Sequence, residues 1–223
     1  NTLSLHDALP IYTVSTYTYY ATGSEKWAYA ESWPSGVSDK LLYLHPDDLT
    51  IDDQPPTTSE SVSFEVDPTD PTPTIGGQTL SDELLQGPYD QSAEVESRSD
   101  VAVLTTTPFT DTLKIRGSIS LQLYMSVNRP DADVAVRLTE VYPDGRSILL
   151  EHDMQRLRFL NGNRPGDTAL VTPGQTYLVE LTLPPIAFDL PPDHQLRLIL
   201  AGNNAPHFFL NVTATTEIYT AGD

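Results

Sequence analysis

Apolar and polar positions alternate with a period of two along much of the chain, the spacing of half-buried strands. Ser61–Val66 reads SVSFEV and turns Val62, Phe64 and Val66 to one side. The longest such run is Leu113–Tyr124, with Leu113, Ile115, Ile119, Leu121 and Leu123 on one face and Lys114, Arg116, Ser118, Ser120 and Gln122 on the other. One dry and one wet face is the pattern of an antiparallel sheet. Tyr177–Leu183 alternates in the same way. Val134–Val141 and Arg146–Leu150 flank Tyr142-Pro143-Asp144-Gly145, a hairpin turn with glycine where positive φ is wanted. Gln195–Leu200 is apolar at most positions and predicts a central strand. Val101–Leu104, Leu41–Leu44, the aromatic and β-branched Tyr12–Tyr20, and Glu217–Tyr219 complete the strand-like segments. No helical segment of ten residues and no internal repeat stands out. Short strands between Pro- and Gly-containing turns predict an all-β sandwich or jelly roll, mostly antiparallel. The long connections at 78–99 and 155–175 argue against a simple meander.

One of those connections is unusual. Asp67-Pro68-Thr69-Asp70-Pro71-Thr72-Pro73-Thr74-Ile75-Gly76-Gly77 can be neither helix nor central strand, because proline lacks the N–H donor and fixes φ. It predicts a loop of set shape, followed closely by Gly87-Pro88-Tyr89-Asp90-Gln91.

Composition narrows the function classes. The chain has 223 residues, 39% of them hydrophobic, enough for one β-domain or two small ones. Its 31 acidic against 12 basic residues give a formal net charge of −19, which repels nucleic acid and anionic membranes and favours solubility. No apolar run approaches the ~20 residues of a membrane helix. With no cysteine there is neither a disulfide nor a thiolate metal site. The compartment is left open, cytoplasmic or secreted. Thr2–Ile11 reads like the translation of a sequencing-adapter oligonucleotide, so residues 1–11 are expected to lie outside the fold. Both ends of the sequence suggest a fragment.

The search for chemistry yields little within the chain. There is no Gly-x-Ser-x-Gly nucleophile elbow, and Ser118 and Ser147 lie in predicted strands. His45, His152, His194 and His207 are scattered without metal-ligand spacing. Asp131 and Asp133 in Pro130-Asp131-Ala132-Asp133 admit a calcium reading, but such aspartates more often close a turn through their own backbone. No cofactor and no metal is expected. Trp27, Trp33, Tyr124, Phe208 and Phe209 suit either core packing or a sugar-stacking platform.

The Pro-rich loop and the Gly87–Gln91 motif together resemble the C-terminal domain of the CocE/NonD serine hydrolases, a group of Xaa-Pro dipeptidyl-peptidases, cocaine-type esterases, acylases and α-amino-acid ester hydrolases. The resemblance runs from roughly 13 to 219. It extends to Trp27, Trp33-Pro34, Asp100–Thr106, the Tyr142–Gly145 turn, Pro173–Tyr177 and Asp193–Leu198, where Asp193 departs from the family's Gly and His207 from its Arg. The resemblance implies a jelly-roll, galactose-binding-like β-sandwich over 51–223, with 12–50 as connector strands from an N-terminal α/β-hydrolase domain. The triad Ser, His and Asp would lie in that domain, so no catalytic residue falls in this chain, and that domain is the expected partner; a homo-oligomer stays open. Asp67, Pro68, Pro71, Gly76, Gly77, Asp90 and Gln91 are implied to be structural, with Asp90 buried and fixing the loop. Gln78, Thr79 and Leu80 are implied to rim the partner's acyl pocket. The competing readings are a free-standing carbohydrate-binding jelly roll and a structural module without a ligand.

Overall fold

The structure, a computed structural model, describes residues 17–208, 210 and 213–220. Its strands are β1 (Tyr17–Ala21), β2 (Lys26–Ala30), β3 (Tyr43–His45), β4 (Thr50–Asp52), β5 (Ser61–Val66), β6 (Val101–Thr106), β7 (Leu113–Val127), β8 (Asp133–Val141), β9 (Ser147–Arg156), β10 (Tyr177–Leu190), β11 (Gln195–Ala201) and β12 (Ala214–Tyr219). Helix is confined, among the described residues, to a 3₁₀ turn at Leu157–Phe159. No described helix is long and apolar enough to cross a membrane.

Two sheets make an all-β sandwich. One has the order β10-β7-β12-β5 and the other β3-β4-β6-β11-β8-β9. All pairings are antiparallel except that of β4 with β6. The alternation in β5 and β7 has its expected result. Phe64, Val66, Leu123 and Met125 are buried from one sheet and meet Leu104, Leu138, Leu198 and Leu200 from the other in a single core. The chain turns between β8 and β9 at Gly145, where φ is +93°. β3 and β4 extend the six-stranded sheet, so residues 43–50, placed with the connector by the expected boundary, are part of the sandwich.

Two long strands exceed their sequence patterns. β10 continues past Leu183 through Pro184 and Pro185 to Leu190, because the register against β7 shifts between Leu183 and Ile186 and the prolines sit in the shift, where no ladder bond is required of them. Every residue of β8 is buried, without alternation, since the strand lies between β11 and β9 and both its faces are covered.

β1 and β2 form a separate hairpin seated on β10. Thr22 exchanges backbone bonds with Ala187 and Asp189 (3.0 and 2.8 Å). Gly23 approaches so closely that a Cβ would stand 2.1 Å from the Asp189 carbonyl oxygen. Tyr19 packs edge-on against Trp33 at 4.8 Å and lies under the Arg116 guanidinium. Register puts Tyr20, Trp27 and Tyr29 on the opposite face of the hairpin, and all three are exposed, Trp27 by 64% and Tyr29 by 68%. Residues 12–16 of the expected first strand lie outside the described residues.

Candidate functional site

The Pro-rich loop is sewn into the sandwich on both sides. Asp67 opens it with an Asx-type turn, its Oδ1 accepting from the Thr69 N–H (2.8 Å) and hydroxyl (2.7 Å), which holds the carboxyl below its usual range. Pro68 and Pro71 then carry the chain to Thr72 and Thr74, both buried. Thr74 donates its N–H to the Ala205 carbonyl (2.6 Å), Ala205 returns one to Thr72 (2.9 Å), and the Thr72 hydroxyl reaches Asp100 (3.1 Å). Arg98 grips Asp100 through two nitrogens (2.7 and 2.9 Å) and adds the Asp70 carbonyl.

The second motif lies along β9. Leu149 donates to the Tyr89 carbonyl (3.0 Å) and Gln91 to that of Ser147 (2.7 Å). Asp90 is half-buried rather than buried. Its Oδ1 accepts from the N–H groups of Ser92 and Ser147, both at 3.0 Å. Burial raises the Asp90 pKa, but these hydrogen bonds outweigh it and the net displacement is downward. Gln91 is fully buried, and its side-chain amide donates to the carbonyls of Ile75 and Tyr89 (2.8 and 3.0 Å), tying one motif to the other.

Between the motifs the chain forms a closed projection. Gly77 and Gly87 exchange N–H···O=C bonds (2.8 and 3.0 Å) and make a neck. Gly76 and Gly77 both have positive φ (+73° and +96°), which only glycine adopts freely. Gly77 also lies flat on the His152 ring, where a Cβ would fall 2.2 Å from Cε1. Beyond the neck the three candidate rim residues part company. Gln78 reaches back to β9 and donates to both carboxylate oxygens of Glu151 (2.9 and 3.0 Å). Thr79 is buried and donates to the Leu85 carbonyl (3.1 Å). Leu80 projects from the fold and is fully exposed at 102%.

A polar cluster that the sequence left scattered lies behind the neck. Arg137, on β8, is 1% exposed; its Nη2 donates to the Pro73 carbonyl (3.0 Å) and Asn204 Oδ1 (2.8 Å). Burial lowers its pKa to about 10, which leaves it charged at neutral pH. His152, on β9, faces His207 at 5.6 Å between ring centroids, and His207 stacks on Phe208 at 4.1 Å. Burial, followed by His207 and Arg137, lowers the His152 pKa to about 4, so its ring is neutral in the folded protein. The contacts of Arg137 with Pro73 and Asn204, and of His152 with Asn204 and His207, could not be read from spacing, since the partners are 52 to 67 residues apart.

The remaining candidates are structural in their contacts. Asp131 pairs with Arg158 (2.5 Å) and Asp133 with Arg156 (2.7 Å), so both carboxylates are committed to guanidinium groups. No group of three metal-ligating side chains occurs among the described residues. Trp33 is half-buried against Tyr19, Tyr124 is half-buried, and Phe209 lies outside the described residues. Tyr20 and Trp27 do stand together in the open, their rings meeting edge to face at 67° rather than in one plane. A groove of about 750 Å³ opens beside the loop neck, between the β1–β2 turn and β9, bordered by Tyr20, Gln78, Leu150, Glu151 and Phe188.

Comparison with known proteins accords with this arrangement. Residues 13–220 match the family described as the X-Pro dipeptidyl-peptidase C-terminal non-catalytic domain. A cocaine esterase from Rhodococcus sp. (strain MB1 Bresler) is 29% identical over 154 residues, which is 69% of this chain and 26% of the esterase. Among solved structures, an α-amino acid ester hydrolase superposes with a TM-score of 0.80 at 22% identity, and an aminopeptidase from a marine sediment Thaumarchaeota archaeon with 0.79 at 21%; each alignment covers 91% of this chain and 38% of the other. The chain thus spans between about a quarter and two-fifths of the length of these relatives.

Proposed function

The chain belongs to the family of X-Pro dipeptidyl-peptidase C-terminal non-catalytic domains, and from that premise we propose that it braces the catalytic domain of a serine hydrolase and supplies one wall of that enzyme's acyl pocket. The parent would cleave ester or peptide acyl bonds through a Ser-His-Asp triad on the other domain. Xaa-Pro dipeptidyl-peptidase activity is one option within that class.

The observation that carries the reading is Leu80. A leucine wholly in solvent, at the tip of a projection tied down on each side, gains nothing for this chain by itself; burying it against a partner would contribute roughly 1.5–3 kcal/mol. The β1–β2 hairpin supports the same face. Its turn is bonded to β10 through Thr22, while Tyr20, Trp27 and Tyr29 form an open aromatic surface, beside a groove able to receive a segment of the partner.

The reading is tested in the full-length parent. Leu80→Ala is expected to change the ratio of kcat/KM for large and small acyl groups about 10-fold, the scale of one pocket contact. The melting temperature should stay within about 1 °C, since the side chain touches nothing in this domain. An unchanged substrate ranking would return the loop to a purely structural role.

A further inference from the structure

We infer that Glu151 is a positioning residue for acyl selectivity: its grip on Gln78 sets the direction in which the loop presents Leu80. The inference rests on the reading of Leu80 given above.

Three consecutive residues leave the neck with three different constraints. Gln78 is tied to the sheet through Glu151, Thr79 is tied across the loop through Leu85, and Leu80 is free. The Gly77–Gly87 neck fixes where the projection begins. Glycine at both ends of the neck, each with positive φ, restrains the direction of the projection weakly. Direction must come from a side chain beyond the neck, and Gln78 is the residue whose side chain reaches the sheet. Its Nε2 stands 2.9 and 3.0 Å from the two oxygens of one carboxylate, so a single amide hydrogen is shared between them. That shared, charge-assisted contact holds the amide in front of the carboxylate at a preferred length.

Glu151 stands apart from the other buried acids among the described residues. Asp100, Asp131 and Asp133 are each paired with an arginine, and Glu140 meets the ring of His194. Glu151 is 7% exposed and makes no ion pair among the described residues, and its carboxylate is held by the neutral amide of Gln78. Burial raises its pKa, against the opposing pull of that amide. A buried carboxylate without a cation is a cost to the fold. The cost is offset in part by the contact with Gln78, because a hydrogen bond to a charged acceptor is stronger than one to a neutral amide or hydroxyl.

The test compares Leu80→Ala, Gln78→Ala, Glu151→Ala, Glu151→Gln and the Gln78→Ala/Glu151→Ala double variant in the full-length parent. The readouts are kcat and KM for large and small acyl substrates and hydrogen exchange of residues 78–86. Gln78→Ala and Glu151→Ala should each shift the large-to-small kcat/KM ratio about 3- to 10-fold, mainly through KM. The double variant should shift it no further than either single one, since both remove the same contact. Glu151→Gln, which can still accept one hydrogen bond, should recover part of the ratio, and the amides of 78–86 should exchange faster in both alanine variants. If Leu80→Ala shifts the ratio while Gln78→Ala and Glu151→Ala do not, the inference is overturned and the Leu80 reading stands. It is also overturned if the two single effects add in the double variant, or if Glu151→Ala acts and Gln78→Ala does not. If Leu80→Ala itself leaves the ratio unchanged, the reading beneath the inference fails and takes the inference with it.

Discussion

Arg156→Ala is expected to destabilise the sandwich by about 3–5 kcal/mol, the usual consequence of stripping a buried carboxylate of its cation. The carboxylate is that of Asp133, opposite Arg156 in the β8–β9 register, and its side chain has no solvent exposure. Both its oxygens accept from Arg156, at 2.7 and 2.9 Å. Arg156 itself is partly open to water, so the penalty of its removal falls mainly on Asp133, whose carboxylate is closed to solvent and would lose its cation. At roughly 2–4 °C per kcal/mol for a domain of this size, the melting temperature should fall by about 6–20 °C. Asp133→Asn combined with Arg156→Ala should recover a good part of the loss, because no buried charge remains. By contrast Arg146→Ala, which breaks the open Arg146–Asp144 pair, should move stability by less than about 1 kcal/mol. Thermal and urea unfolding of the three variants decide the matter; a loss below about 1 kcal/mol for Arg156→Ala would mean that Asp133 does not depend on its arginine.

Stability should also fall as the pH is lowered from about 6.5 to about 4, with His152 as a main cause. In the unfolded chain this imidazole takes up a proton near its ordinary value of 6.5; in the fold, burial beneath Gly77 and the nearby His207 and Arg137 hold it neutral until about 4. The unfolded state therefore binds more protons across that window, and stability declines as pH falls. The stabilisation from a neutral His152 is fully present above about 6.5 and is lost by about 4. The interval corresponds to up to about 3 kcal/mol, at 1.36 kcal/mol per pH unit. His152→Gln cannot titrate and keeps a polar group facing Asn204, whose side-chain amide lies 3.4 Å from His152 Nδ1. Its unfolding free energy should decline less steeply over the same window, while the other titrations are common to both proteins and cancel in the comparison. Parallel curves for the two proteins would show that protonation of His152 carries no energetic weight.

What was legible in the sequence follows from how local each interaction is. The period of two marked β5 and β7 because each strand has one face on the core and one outside it. The β8–β9 turn was legible because Gly145 needs a positive φ that its neighbours do not. β11 was recognisable as central from its near-continuous apolar run, and it lies between β6 and β8. Other features depend on partners far along the chain. Arg137 looks like an outward-facing position of an alternating strand, yet it is buried because Pro73 and Asn204, 64 and 67 residues away, supply its acceptors. Nothing in Pro184-Pro185 announces a strand that continues through a register shift. The loop motifs identified where the projection lies, and the folded arrangement then separated Gln78, Thr79 and Leu80 into a tether, a buried strut and an exposed tip. Glu151 gave no local signal, being one acid among 31, and only its contact with Gln78 distinguishes it.

The most direct test is a turnover assay on purified residues 12–223 beside the full-length parent, with p-nitrophenyl esters and Xaa-Pro amides as substrates. An accessory domain without a nucleophile predicts hydrolysis by the parent and none by this chain. Hydrolysis by the chain alone, abolished by replacing a single serine within it, would contradict that assignment.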